Sequence, residues 1–281
     1  MMEDYFTPLL DDAELRQGDI LRQYKKPISR EEVRWGFVIN ADCDLANRKN
    51  QGHISWLEVV PTEEYWRTFW APQQLATFAQ KKSQQLCDQI NSILRKQGSG
   101  LDNLSHDRLV DWVRRRKPQE IVSSIGVDNN NLLKELKAFS MAVCENAESS
   151  SLDVLEACQN YLGQSTEKTA ASFRQFITRQ DGFPDFVLVP DVPDGNAKGY
   201  VVLLRRINGA RETEVFKTEL DARLNDRPEA LHRIGRFRDG IRFQIVQKMS
   251  FLYSRIGSSK EFEAECSQVV DWTIEDRKAR K

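Results

Sequence analysis

The sequence is short of the residues from which most catalytic and metal sites are built. It holds three histidines, His53, His106 and His232, and none stands at a spacing that would put two of them on one metal ion. Five cysteines, Cys43, Cys87, Cys144, Cys158 and Cys266, are scattered without a CxxC pair, so no zinc ribbon or dithiol redox motif is signalled. An odd number of thiols without a secretory leader points to a reducing, cytoplasmic setting. No apolar run approaches the roughly 18 residues that a membrane-spanning helix needs, and no membrane contact is expected. P-loop, dinucleotide-binding glycine and HExxH patterns are all missing, so no cofactor and no metal are expected. Neither sign of charge dominates: 41 Lys and Arg face 42 Asp and Glu, which removes the global basicity of a nucleic-acid-binding chain. Internal repeats and low-complexity tracts are missing too.

What is present is divided along the chain. Residues 1–71 carry 9 basic and 13 acidic side chains, whereas residues 205–255 carry 12 basic and 7 acidic ones. This asymmetry favours attraction between the two ends; a surface for an anionic partner is the alternative. The same ends read as β-structure. Gly18-Asp19-Ile20-Leu21 opens a strand, residues 33–41 (VRWGFVINA) form a mostly apolar one, and residues 53–61 (HISWLEVVP) alternate with Ile54, Trp56 and Glu58 on one face. Residues 186–189 and 200–204 flank a loop rich in proline, aspartate and glycine and read as a hairpin, and Val215-Phe216 offers a further short strand.

Between these ends the period changes to that of helices. Stripes containing Leu86 and Ile90, Leu109 and Val113, Leu136 and Phe139, Leu155 and Cys158, and Phe173 and Ile177 predict five helices in series, begun by Pro72, Ser105, a start before Leu132, Ser151 and Thr166. A last helix runs from about Asp239 to Ile256, with Phe243, Val246 and Tyr253 expected to widen its buried stripe. The expected fold is therefore α+β. Residues 1–71 and 183–257 form a small, bent β-barrel domain closed by the last helix, residues 72–182 form an all-α insertion, and residues 258–281 form a tail.

Three short motifs carry a resemblance. Gly18-Asp19-Ile20 ("GDI"), Asp42-Cys43-Asp44-Leu45 ("DCDL") and Arg255-Ile256-Gly257 ("RIG"), with Arg242 at the start of the same helix, are similar to a group of bacterial proteins. Those proteins are associated with defence and mobile-element genes, including CRISPR accessory loci, and have no assigned reaction. The opening also resembles the small SH3-like barrel of MazF/PemK-type toxins, which cut RNA. The loop Lys25-Lys26-Pro27-Ile28-Ser29-Arg30 departs from the toxins' Arg-Pro start, and their threonine-bearing strand has no counterpart here. The resemblance implies the barrel more than the ribonuclease chemistry.

Asp42-Cys43-Asp44, with Asn47 in the turn behind it, is the leading candidate site. At the end of a strand, alternation would set Asp42 and Asp44 on one face and Cys43 on the other, so that the two carboxylates could hold an arginine or a cation together. Capping of a turn, a structural ion pair with a C-terminal arginine, and catalysis are the alternatives. The two aspartates disfavour a thiolate nucleophile at Cys43. Arg233, Arg236, Arg238 and Arg242, interleaved with Phe237 and Phe243, could bind phosphates and stack bases, or could pin the last helix to acidic loops. Arg255 is the remaining candidate. The run Arg114–Lys117 falls at a helix C-terminus, where cations suit the dipole. A PD-(D/E)xK nuclease pattern around Asp185, Asp194, Glu212, Glu214 and Lys217 has the wrong final spacing.

These readings favour a non-enzymatic, protein-binding or regulatory component of a bacterial defence or stress system, whose partner is a neighbouring gene product. A barrel ribonuclease or hydrolase using Asp42, Asp44 and a C-terminal arginine is the first alternative. An adaptor binding nucleic acid through the segment 233–242 is the second.

Overall fold

A computed structural model of the chain describes residues 5–9, 13–23, 34–98, 103–144, 149–178, 185–224 and 230–254, together with Glu265, Gln268, Val269 and Trp272. In chain order it contains β1 (Phe6–Thr7), β2 (Asp19–Gln23), β3 (Arg34–Val38), α1 (Asp42–Ala46) and β4 (His53–Pro61). There follow α2 (Thr62–Glu64), a π-helical turn at Tyr65–Trp70, α3 (Ala71–Lys96), α4 (His106–Arg115), α5 (Pro118–Ile125), α6 (Asn130–Val143), α7 (Ser151–Tyr161) and α8 (Thr166–Thr178). The chain then forms β5 (Phe186–Val189), β6 (Tyr200–Arg211), β7 (Val215–Phe216), α9 (Glu219–Leu224), β8 (Leu231–Phe237) and α10 (Asp239–Tyr253). It is a mixed α+β protein. Two compact units divide it, one made of Met1–Val59, Gly182–Gly195 and Val202–Lys281, the other of Val60–Asp181 and Asn196–Val201.

The first unit is built on a curled sheet with the strand order β1-β8-β2-β3-β4-β6-β5, in which β7 adds to β8. The pairs β1–β8, β2–β8, β2–β3 and β3–β4 are antiparallel, and β7 runs parallel to β8. The sheet thus curls as a half-barrel. Its strands form because Ile20, Leu21, Phe37, Val38, Leu57 and Val59 can all be taken out of water, each burial contributing about 1.5–3 kcal/mol. Gly36 has a steric reason: a Cβ there would lie 2.6 Å from the Trp56 ring. Leu21, Val38, Ile54, Trp56 and Leu231 form a buried cluster, and Leu15, Leu45 and Val215 pack on it half-exposed.

The second unit is helical, and its caps are those expected from composition. Ser105 accepts from the Arg108 N–H at the start of α4, and Asn129 accepts from the Leu132 N–H at the start of α6. Ser150 and Asp153 close a reciprocal capping box on α7. Leu86, Ile90, Leu109, Ile121, Leu136 and Phe139 are its fully buried centre. Trp66 stacks on Phe173 at 4.8 Å, and Trp70 meets the same ring edge-on.

Several expectations are corrected. Asp42-Cys43-Asp44 does not end a strand. Ladder pairing of β3 stops at Val38, the Asn40 side chain takes the Ser55 N–H in place of a backbone carbonyl, and residues 42–46 coil into one helical turn. Residues 231–237, read only as an arginine-rich stretch, are a strand inside the sheet. Between the expected helices of the second unit lies a further one, α5, whose Pro118 start and three buried aliphatics, Ile121, Val122 and Ile125, make too short a stripe to stand out. Phe243 and Tyr253 do not widen the buried face of α10; both are exposed, and Ile245 and Leu252 alone are fully buried on that helix. The loop Lys25–Arg30 and the turn Arg255-Ile256-Gly257 lie outside the described residues. Among the described residues no helix is long and apolar enough to cross a membrane.

Candidate functional site

The site grows from the turn that leads into β2. Asp19 is 0 % exposed, and an isolated carboxylate could not stand there. Its Oδ2 accepts from the Arg233 Nε at 2.9 Å and from the Arg16 backbone N–H at 3.1 Å, while its Oδ1 accepts from the Arg236 Nε. The two guanidiniums then donate onward to the backbone: Arg233 to the carbonyls of Ala13 and Glu14 at 2.7 and 2.8 Å, and Arg236 to that of Glu14 at 2.8 Å. One buried carboxylate thereby ties the N-terminal turn to β8. Burial draws the Arg233 guanidinium below the usual arginine range; Asp19 opposes the shift and Arg236 adds to it.

A bulge makes this triad geometrically available. The β2–β8 register pairs Ile20 with Gly235 but Leu21 with Arg233, which leaves Ile234 as the extra residue on β8. On a regular strand, residues three apart face opposite sides. The extra residue resets the phase, so Arg233 and Arg236 reach the same carboxylate.

Asp42 and Arg242 form a second clamp. The Arg242 Nη1 donates to the Asp42 Oδ2 at 3.1 Å and to the Gln17 carbonyl at 3.2 Å, and its Nη2 lies 3.0 Å from the Asp239 Oδ1. Asp42 Oδ1 accepts the Gln17 N–H at 2.8 Å, so both of its oxygens are engaged. The Arg242 guanidinium also lies 4.7 Å from the centre of the Phe243 ring, in the range of a cation–π contact. Cys43, Asp44 and Asn47 join neither clamp. Cys43 is exposed with its Sγ 3.7 Å from the Asp44 Oδ1, and Asn47 donates to the Cys43 carbonyl at 2.7 Å, ending α1. Arg255 lies outside the described residues. The sequence reading missed Asp19 and Gln17; the "GDI" motif was the available signal for the first, and nothing local marked the second.

Beside the clamps opens a cavity of about 810 Å³, whose wall includes Asp42, Cys43 and Arg233 together with Arg16, Arg48 and Lys217. Among the described residues no group of three or more His, Cys, Asp or Glu is placed to hold a metal ion. Comparison with protein-family models, curated proteins and solved structures finds no match to this chain.

His232 lies buried on β8, and burial lowers its pKa, with Arg22 and Arg223 lowering and Glu219 and Asp194 raising it. A histidine held neutral in the fold but free to charge when unfolded contributes stability that is full above about pH 6.5 and is lost as pH falls below it. We expect the unfolding free energy to decline between pH 7 and pH 5, by at most about 1.4 kcal/mol per pH unit from this group. His232→Gln should flatten that decline in urea titrations; an unchanged slope would remove His232 as its source.

Proposed function

We propose that this chain is a non-enzymatic, protein-binding or regulatory component, and that it works in a bacterial defence or stress system of the kind its "GDI", "DCDL" and "RIG" motifs resemble. The half-barrel sheet and the opening strand suit a small barrel of the SH3/MazF kind, which is taken here as a scaffold and not as a nuclease. One observation carries the reading: the groups best suited to chemistry are already committed inside the fold. A general base needs a free oxygen within reach of its proton, and both oxygens of Asp42 are taken. Phosphate binding needs accessible cations, and the side chains of Arg233, Arg236 and Arg242 are 5 %, 20 % and 11 % exposed. The cavity beside α1 stays open to a partner.

The reading is tested by affinity capture from a nuclease-treated extract of the host cell. A protein retained in near-equal amount is the expected result, together with no cleavage when the purified chain is incubated with RNA. Retention of nucleic acid alone, or RNA cleavage that Asp42→Ala abolishes in a protein that still melts normally, would overturn it.

A further inference from the structure

We infer that the cavity beside α1 seats an acidic, partly apolar peptide segment of a partner protein; this deepens the protein-binding reading and rests on it. Three cations converge there from separate parts of the chain: Arg16 from the turn before β2, Arg48 from the turn after α1, and Lys217 from the bend after β7. All three are exposed, and none makes an ion pair among the described residues. They differ in this from Arg233 and Arg242, whose charges are met by Asp19 and Asp42. Among the described residues of the wall, these three cations stand against two carboxylates without an ion pair, Glu14 and Glu212.

Part of the lining is aliphatic. Leu15, Leu45 and Val215 contribute to it and pack on the buried cluster of the sheet, so this part is anchored by the core. A volume of about 810 Å³ lies within the roughly 300–1,000 Å³ of sites that enclose a few side chains or a small ligand. Exposed cations beside less exposed aliphatic side chains match a segment that alternates carboxylates with aliphatic side chains. A nucleic acid fits less well. Glu14 and Glu212 would face its phosphates, and among the described residues no aromatic side chain lines the wall to stack a base.

Arg48 gives the test a useful variant. It holds a left-handed backbone at φ 54°, a conformation that glycine adopts more readily. Arg48→Gly removes the cation while suiting the chain, so lost binding cannot be put down to unfolding.

The experiment follows the fluorescence anisotropy of a labelled peptide of alternating glutamate and leucine, titrated with the full chain at low salt. A glutamine-for-glutamate peptide, a single-stranded RNA hexamer and inorganic phosphate serve as competitors. We expect the acidic peptide to bind, the glutamine peptide to compete at least tenfold more weakly, and RNA and phosphate to compete poorly. The double variant Arg48→Glu, Lys217→Glu should weaken binding at least tenfold. Arg48→Gly should weaken it severalfold with no fall in Tm, and Arg116→Glu in the helical unit should leave it unchanged. Absence of peptide binding, equal binding of the glutamine peptide, indifference to the cavity variants, or tighter binding of RNA through the same residues would each overturn the assignment. The two failures are distinguishable. If the double variant still retains its protein from nuclease-treated extract, the cavity assignment falls and the protein-binding function stands. If no protein is ever retained, the protein-binding reading falls and the partner segment falls with it, even where the peptide binds through these cations.

Discussion

Asp19→Ala is expected to destabilise the sheet unit by about 3–5 kcal/mol, the cost of breaking a buried ion pair from one side. The Arg233 guanidinium is 5 % exposed, so loss of the carboxylate leaves a cation in an apolar setting with backbone carbonyls as its remaining partners. Arg236, at 20 % exposure, can turn toward water and loses less. The asymmetry gives the test its resolution. Arg236→Met leaves Asp19 and Arg233 as a matched pair and should cost only about 1 kcal/mol, whereas Arg233→Met leaves a fully buried carboxylate with the more exposed of its two guanidiniums and should cost more. Against a total stability of about 5–15 kcal/mol, the alanine variant should show a large drop in urea midpoint. An Asp19→Ala protein within 1 kcal/mol of the parent by the same measurement would mean that the triad does not hold the two ends of the chain together.

That triad also shows where the sequence could be read and where it could not. The longer helices of the second unit, α3, α4, α6, α7 and α8, were legible because each is long enough for more than two turns of a 3.6-residue stripe, and because Ser105 and Gly163 mark ends locally. β3 was legible as an apolar run and β4 as an alternating one. β8 was not. Its two arginines within four residues look like a solvated stretch, and the bulge at Ile234 erases the two-residue alternation that marks a strand. The two arginines turn inward because a single aspartate more than two hundred positions away pairs with both, and no local window contains that fact. For α1 the difficulty was length: five residues complete barely one turn, too few for any period to appear. So Asp42 is a candidate whose backbone reads as strand and folds as a helical turn, Arg242 lies on the last helix as expected, and Asp19 is not singled out although its motif is. The cations of the cavity, Arg16, Arg48 and Lys217, come from three turns, where neither spacing nor composition distinguishes a converging side chain from a solvated one.

Gly18 shows the same dependence on distant residues at the backbone level, and Gly18→Ala should cost about 2–4 kcal/mol. Two penalties add. The residue sits at φ 90°, where a Cβ is disfavoured in itself, and that Cβ would stand 2.5 Å from the Arg242 Cδ and 2.8 Å from its Cγ. The arginine stem cannot simply swing aside, because its guanidinium is held by Asp42, Asp239 and the Gln17 carbonyl. Its neighbours are fixed as well: the Gly18 N–H donates to the Val38 carbonyl at 2.9 Å, and the Phe237 N–H donates to the Gly18 carbonyl at 3.0 Å. A double-mutant cycle separates the two terms. In an Arg242→Ala background the two closest contacts are gone and only the Cβ at 3.3 Å remains, so Gly18→Ala should retain mainly its backbone strain, about 1–2 kcal/mol. A coupling free energy near zero in that cycle would show that the close approach of Arg242 to Gly18 is relieved at no cost, and that the glycine is required by its dihedral angle alone. A coupling of about 1 kcal/mol or more would instead place Gly18, Asp42 and Arg242 in one interlocked unit, with the small residue set by the arginine packed over it.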